Sequence, residues 1–253
     1  MDVLRKLLQI STPFLLPFSV AALDCPSGTY HVSAHPRKAY YRADGTFVKA
    51  TQVSESCRET NAVYDTWSPI LKTGSPPNWE NKSEKPSQWT EEQRTRLIEA
   101  LNELPEALQR LPVKGIYRMS KSIFFPNPAS NDNDGRIVLY DSAFGQDQRL
   151  ARILAHELAH EVFVNFTDLD RASYRQALGW IAEFDPESRK FLYKERSGQF
   201  VKPDGRQGPN EDFANNLEYY LFEAKVLKRT TPKAFDWISN RFNANFRLGS
   251  PAK

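Results

Sequence analysis

Leu150, Leu154, Leu158 and Val162 return at every fourth residue, the period of one face of an α-helix. The spacing predicts a helix over 148–166 with that face buried. His156 and His160 are also four apart, on the side away from the stripe. Four residues make about 1.1 helical turns, so both imidazoles leave the same face one turn apart. There they can meet a single metal ion at about 2.0 to 2.1 Å. The chain of 253 residues has only four histidines, so this pair uses half of them.

The complete string His156-Glu157-Leu158-Ala159-His160 is the HExxH zinc pattern. Glu157 sits about 100° round the helix from His156. It can take a proton from a water molecule at the metal without binding the metal itself, as a general base must. A catalytic Zn²⁺ site needs a third protein ligand and one open position. No histidine follows His160, so the third ligand is a carboxylate, or comes from His31 or His35. Glu211 opens a predicted helix 51 residues after His160 and is the preferred choice. Glu183, Asp212 and Glu218 are rivals, and Glu218, two turns beyond Glu211, is better placed to orient a ligand than to be one.

HExxH followed by Asn210-Glu211-Asp212-Phe213-Ala214 resembles the gluzincin metallopeptidases, in particular the group related to the anthrax lethal factor catalytic domain and the Pro-Pro endopeptidases. The resemblance covers 137–242, including Thr231-Pro232-Lys233-Ala234-Phe235-Asp236-Trp237-Ile238. It implies a zincin-like fold, peptide-bond hydrolysis, Zn²⁺ held by His156, His160 and Glu211, and Glu157 as the catalytic base. Two positions depart from the family. The catalytic tyrosine expected shortly before the ligand glutamate is missing from Asp204-Gly205-Arg206-Gln207-Gly208, which leaves Arg206 or Tyr193 as candidates for stabilising an oxyanion. Asn215 replaces an aspartate, although its amide oxygen can still accept from a ligand imidazole.

The rest of the chain sets compartment and organisation. Arg5 and Lys6 precede an apolar run to Ala22, with small residues Val20 and Ala22 at the cleavage positions, which predicts a secretory signal peptide over 1–22. Pro13 and Pro17 make the run too broken for a membrane span of ~20 residues. The only cysteines, Cys25 and Cys57, then bracket a small β module over 23–60 that a disulfide closes in an oxidising compartment. Within it the Asp44-Gly45 turn predicts a hairpin or small meander. Residues 61–88 read as an irregular connection anchored by Trp67 and Trp79.

The domain over 89–253 begins with a capping box at Thr90 and a helix continuing to Leu108. A strand over 113–125, a polar loop over 127–135 and a strand over 137–140 follow, the last read either as the edge along which a peptide lies or as an ordinary core strand. Helices are predicted over 170–183, 187–195, 210–228 and 232–242. The expected class is α+β: a zincin-like domain with a small N-terminal β appendage.

With 34 basic and 31 acidic residues, the net charge of +3 gives no nucleic-acid footprint. The expectation is a monomeric, secreted or periplasmic zinc metallopeptidase acting on peptides or proteins, with no stable membrane insertion after signal cleavage. Two other readings share these residues: a non-catalytic envelope-binding protein on a zincin scaffold, and a zinc amidohydrolase acting on cell-wall material. The basic and aromatic segment around His31, His35, Arg37, Lys38 and Arg42 is the candidate for envelope contact, and the two histidines for a second metal site.

Overall fold

The computed structural model describes residues 70–124, 126–145 and 149–243, with Cys25 and segments 29–32, 34–37, 40–41 and 47–59. The expected signal peptide, Trp67 and the Asp44-Gly45 turn lie outside the described residues, as do the side chains of His31 and His35.

The N-terminal module is a single ribbon. Strands β1 (Thr29–Val32), β2 (His35–Arg37), β3 (Tyr40–Tyr41), β4 (Phe47–Val48), β5 (Thr51–Val53) and β6 (Ser56–Glu59) pair in nested antiparallel order, β1 with β6, β2 with β5 and β3 with β4. A Cys25–Cys57 disulfide ties the base, with Cα atoms 5.5 Å apart.

The predicted connection is partly sheet. Strand β7 (Leu71–Lys72) pairs in parallel with β8 (Gly115–Arg118), followed by β9 (Ala129–Asn131) and β10 (Arg136–Leu139), in the order β7-β8-β10-β9. Strand β10 runs parallel to β8 and antiparallel to β9. The edge nearest the predicted metal helix is therefore β9, not 137–140, which is an interior strand. Residues 137–140 are also the better interior strand chemically: Ile137, Val138, Leu139 and Tyr140 are all fully buried, as a strand covered on both faces requires.

Alternation along these strands feeds two cores. Ile116, Ile137, Leu139 and Ala129 face the helices, while Tyr117, Met119, Val138 and Tyr140 face a smaller cluster completed by Trp79. Residues 70–89 cover that second cluster, and the buried Glu84 carboxylate accepts from Trp79 Nε1 (2.8 Å) and Tyr140 Oη (2.8 Å). Burial of its phenol, together with the Glu84 carboxylate, pushes the Tyr140 pKa up to about 12.

Helix α1 (Glu91–Asn102) starts with the expected capping box, Gln93 N donating to Thr90 Oγ1 and Thr90 N to Gln93 Oε1 (3.2 Å each). It stops before Pro105, and α2 (Glu106–Gln109) is separate. Proline has no N–H to continue the ladder and clashes with the preceding turn, which the expectation of one helix to Leu108 overlooked. Helix α3 (Leu150–Asn165) carries the predicted stripe, with Leu154, Leu158 and Val162 fully buried.

Helix α4 (Asp168–Leu178) ends at Gly179 in the left-handed region (φ 88°), the usual glycine terminator. The two helices expected over 170–195 are otherwise a hairpin of β11 (Ile181–Asp185) and β12 (Lys190–Lys194). Asp185 accepts from the backbone N–H groups of Glu187 and Ser188 and makes the turn. Helices α5 (Pro209–Phe222), α6 (Ala224–Thr230) and α7 (Pro232–Asn243) complete the chain, with Glu223 (φ −143°) breaking the expected single helix over 210–228.

Helix α3 packs along α5. Phe163, Phe166, Tyr174, Phe213 and Trp237 meet mainly edge to face, with centroids 5.1 to 6.1 Å apart. Such pairs contribute about 0.5–1.5 kcal/mol each beyond area burial, so the cluster locks α3 and α5 in register. The described residues form a mixed α+β fold with seven α-helices. No helix among them is long and apolar enough to cross a membrane.

Candidate metal centre

His156 and His160 lie one turn apart on α3, and Glu211 on the first turn of α5 faces them. His156 Nε2 and His160 Nε2 are 3.2 Å apart. Glu211 Oε1 is 3.2 Å from His156 Nε2, and Glu211 Oε2 is 3.4 Å from His160 Nε2. The three contacts are nearly equal in length, with one carboxylate oxygen facing each ring. For ligands about 2.0 to 2.1 Å from a tetrahedral metal, neighbouring ligand atoms are separated by about 3.3 Å. The group can hold a metal ion, and its donor contacts are close to that separation.

The opposite ring nitrogens support the same orientation. His160 Nδ1 lies 3.1 Å from Asn210 Oδ1, and Asn210 Nδ2 donates to Asn133 Oδ1 (2.8 Å) in the β9–β10 turn. His156 Nδ1 is buried without a hydrogen bond, at an ion-pair distance of 3.6 Å from Glu218 Oε2. Both Nε2 atoms are thus turned inward and both Nδ1 atoms toward oxygen, as in metal sites where a second interaction fixes each imidazole.

Electrostatics describe a site that calls for positive charge. Burial opposes a charged His156, but contacts with Glu211 and Glu218 outweigh it and carry its pKa up to about 10. Burial and the neighbouring charge on His156 pull His160 down to about 4. Burial also opposes ionisation of Glu218, yet His156, Lys202 and Arg152 hold it down to about 2. The ring of His156 faces two carboxylates, Glu211 at Nε2 and Glu218 at Nδ1.

Glu157 is buried, and burial raises its pKa to about 7. Its backbone carbonyl accepts from Asn131 Nδ2 (3.0 Å), which ties α3 to β9. Glu157, both histidines, Glu211 and Glu218 line one cleft of about 1020 Å³. Residues 128–131 form its strand-side wall, and Arg149, Arg152, Lys202 and Phe124 also border it.

The rival ligands fall elsewhere. Glu183 is an exposed side chain of the hairpin, 4.0 Å from Lys194. Asp212 is buried on the far side of α5, where Arg196 Nε and Nη2 (2.8 and 3.0 Å), Trp180 Nε1 (2.9 Å) and Asn216 Nδ2 (3.0 Å) all donate to it. Glu218 lies beside His156 Nδ1 and outside the metal group, held by Arg152 Nε (2.7 Å) and Lys202 Nζ (2.5 Å).

Neither oxyanion candidate reaches the cleft. Arg206 pairs with Glu195 and lies over Phe200, while Tyr193 is half-buried under Arg175. Asn215 does not meet an imidazole; its Nδ2 donates to Asp204 (2.7 Å). Asn210, next to Glu211, takes the histidine contact, and its adjacency to the ligand glutamate was the available signal. The participation of Asn131, Asn133, Arg152 and Lys202 had none.

No family model, curated protein or solved structure matches the chain.

Proposed function

We propose that the chain is a zinc-dependent metallopeptidase that works outside the cytoplasm. The carrying observation is the convergence of His156, His160 and Glu211, with donor contacts of 3.2 to 3.4 Å, and a buried carboxyl, Glu157, in the same cleft. Two imidazoles and one carboxylate are the donor set of catalytic zinc sites, and these residues fit that ion. A zinc ion held there supplies Lewis-acid activation of water and of the scissile carbonyl.

The other steps belong to side chains. Glu157 accepts a proton from the attacking water and delivers it to the departing amine, a task for a carboxyl whose pKa lies near neutrality. Asn210 fixes the ring orientation of His160, and the Glu218 carboxylate faces His156 Nδ1 at 3.6 Å.

The edge strand β9 supports an extended peptide as substrate. Tyr140 N donates to Pro128 O and Asp132 N to Arg136 O, so the alternation of an antiparallel ladder turns the N–H and C=O groups of Ala129 and Asn131 away from β10. Ala129 is covered, and an incoming strand can pair at Asn131.

The Cys25–Cys57 disulfide supports an extracytoplasmic site of action. The test is digestion of a peptide library by zinc-loaded protein, with and without chelator, beside elemental analysis. One zinc per chain with chelator-sensitive cleavage is expected; stoichiometric zinc without cleavage of any peptide overturns the reading.

A further inference from the structure

The loop leading into β9 carries two large apolar side chains in solvent. Ile123 is 50% exposed and Phe124 68% exposed. An exposed aromatic on a slack loop would mean little, but this loop is anchored. The Glu84 carboxylate, only 5% exposed, accepts from Ile123 N (2.9 Å) as well as from Trp79 and Tyr140. Ser122 is buried and its Oγ accepts from Phe124 N (3.0 Å). Asn127 N closes a turn onto Phe124 O (3.0 Å), and Ser142 Oγ donates to Asn127 O (3.0 Å). A buried carboxylate and a buried hydroxyl are thus committed to holding the backbone of residues whose side chains contact water.

The position of the loop gives that arrangement a use. Phe124 lines the same cleft as the metal group and Glu157, and Pro128 to Asn131, at the edge strand β9, line it too. A strand that pairs with β9 alternates its side chains between the two faces of the sheet. One set of those side chains is carried past the Phe124 end of the wall. Aromatic surface carried on an anchored backbone beside an edge strand recognises apolar side chains, because covering both removes apolar area from water.

We propose that Phe124 is the specificity-determining residue of the cleft, packing on a bulky aliphatic or aromatic side chain of an extended peptide paired with β9. This rests on the peptidase reading and adds the substrate class to it: peptides with a large apolar residue at one fixed position relative to the cleaved bond. Glu84 is the positioning residue that keeps Phe124 in place, with no contact to substrate of its own.

The experiment compares the parent and Phe124→Ala, both zinc-loaded, on matched peptides carrying Leu, Phe or Ala at the position the parent selects. Losing an apolar contact in a recognition site changes discrimination by about 10- to 200-fold. Because the Phe124 wall is open on one side, the low end is expected: about a ten-fold fall in kcat/KM for the Leu and Phe peptides, through KM, with the Ala peptide unchanged. Phe124→Leu restores most of the loss. In parallel, fluorescence anisotropy measures binding of the same labelled peptides to Glu157→Gln with and without Phe124→Ala, which reads recognition without turnover. Equal effects on all three peptides, or a parent that selects a charged or small residue, overturn the proposal while leaving the peptidase reading intact. A parent that neither binds nor cleaves any peptide overturns both.

Discussion

Asn210 Oδ1 lies 3.1 Å from His160 Nδ1, and Asn210 is the residue immediately before Glu211. One helix start therefore supplies both a carboxylate of the candidate metal group and the contact to one of its imidazoles. Replacing Asn210 by Ala removes the contact without touching a ligand. Loss of such an orienting partner typically weakens metal binding 10- to 100-fold. Competition with a metal chelator should show a weakening in that range for Asn210→Ala, while Asn210→Asp, which keeps an acceptor oxygen, should lie closer to the parent. Parental affinity in Asn210→Ala would mean that the asparagine does not orient the ring.

Arg196 and Asp212 form a fully buried pair below α5, with side chains 5% and 1% exposed. Removing one partner of a buried pair costs about 3–5 kcal/mol, because the other charge stays buried and unpaired. Arg196→Met should lower the urea midpoint accordingly, and the double variant Arg196→Met/Asp212→Leu should recover part of the loss. An Arg196→Met midpoint within error of the parent would remove this network from the account of how α5 is held.

Asp170 joins the start of α4 to α7, its carboxylate accepting from Arg241 Nη2 (2.6 Å) and from Thr167 Oγ1 (2.6 Å). The Thr167 hydroxyl first, against a smaller opposing effect of burial, and then Arg241 hold its carboxyl below the usual value of 3.8. A carboxylate with a lowered folded-state pKa stabilises fully above its unfolded value and loses that contribution as pH falls through the folded one. Stability should therefore fall more steeply below pH 3.8 in the parent than in Asp170→Asn, as read by thermal unfolding at several acid pH values. Parallel curves would contradict it.

The disulfide closes a loop with a sequence separation of 32. On the chain-entropy model that stabilises by about 3 to 4 kcal/mol. Since it bridges only the N-terminal ribbon, reduction should open 25–59 to protease while the helices around α3 and α5 stay protected. Simultaneous loss of protection throughout would show that the ribbon and the helical core unfold as one unit.

The metal helix was legible because two periodicities coincided: leucines every four residues gave it a buried face, and histidines every four gave it a ligand face. Glu211 was legible as a carboxylate opening a helix. The hairpin of β11 and β12 was not, since its strands are five residues each, too short for periodicity to tell strand from helix. The edge strand was displaced for a related reason. Ala129-Ser130-Asn131 has little β-propensity, and its pairing comes from β10 rather than from its own residues. Asn133 and Lys202 reach the site through loops whose course depends on tertiary packing, which leaves no local mark in sequence.

The central claim is that Glu157 moves protons at a zinc ion held by His156, His160 and Glu211. The most direct test is kcat/KM for Glu157→Gln against the parent, both with measured zinc content, on a peptide that the parent cleaves. General acid–base catalysis contributes about 10²- to 10⁴-fold. The account predicts one zinc per chain in both proteins and a loss of at least about 100-fold in the variant. A zinc-loaded Glu157→Gln that cleaves at the parental rate would contradict it.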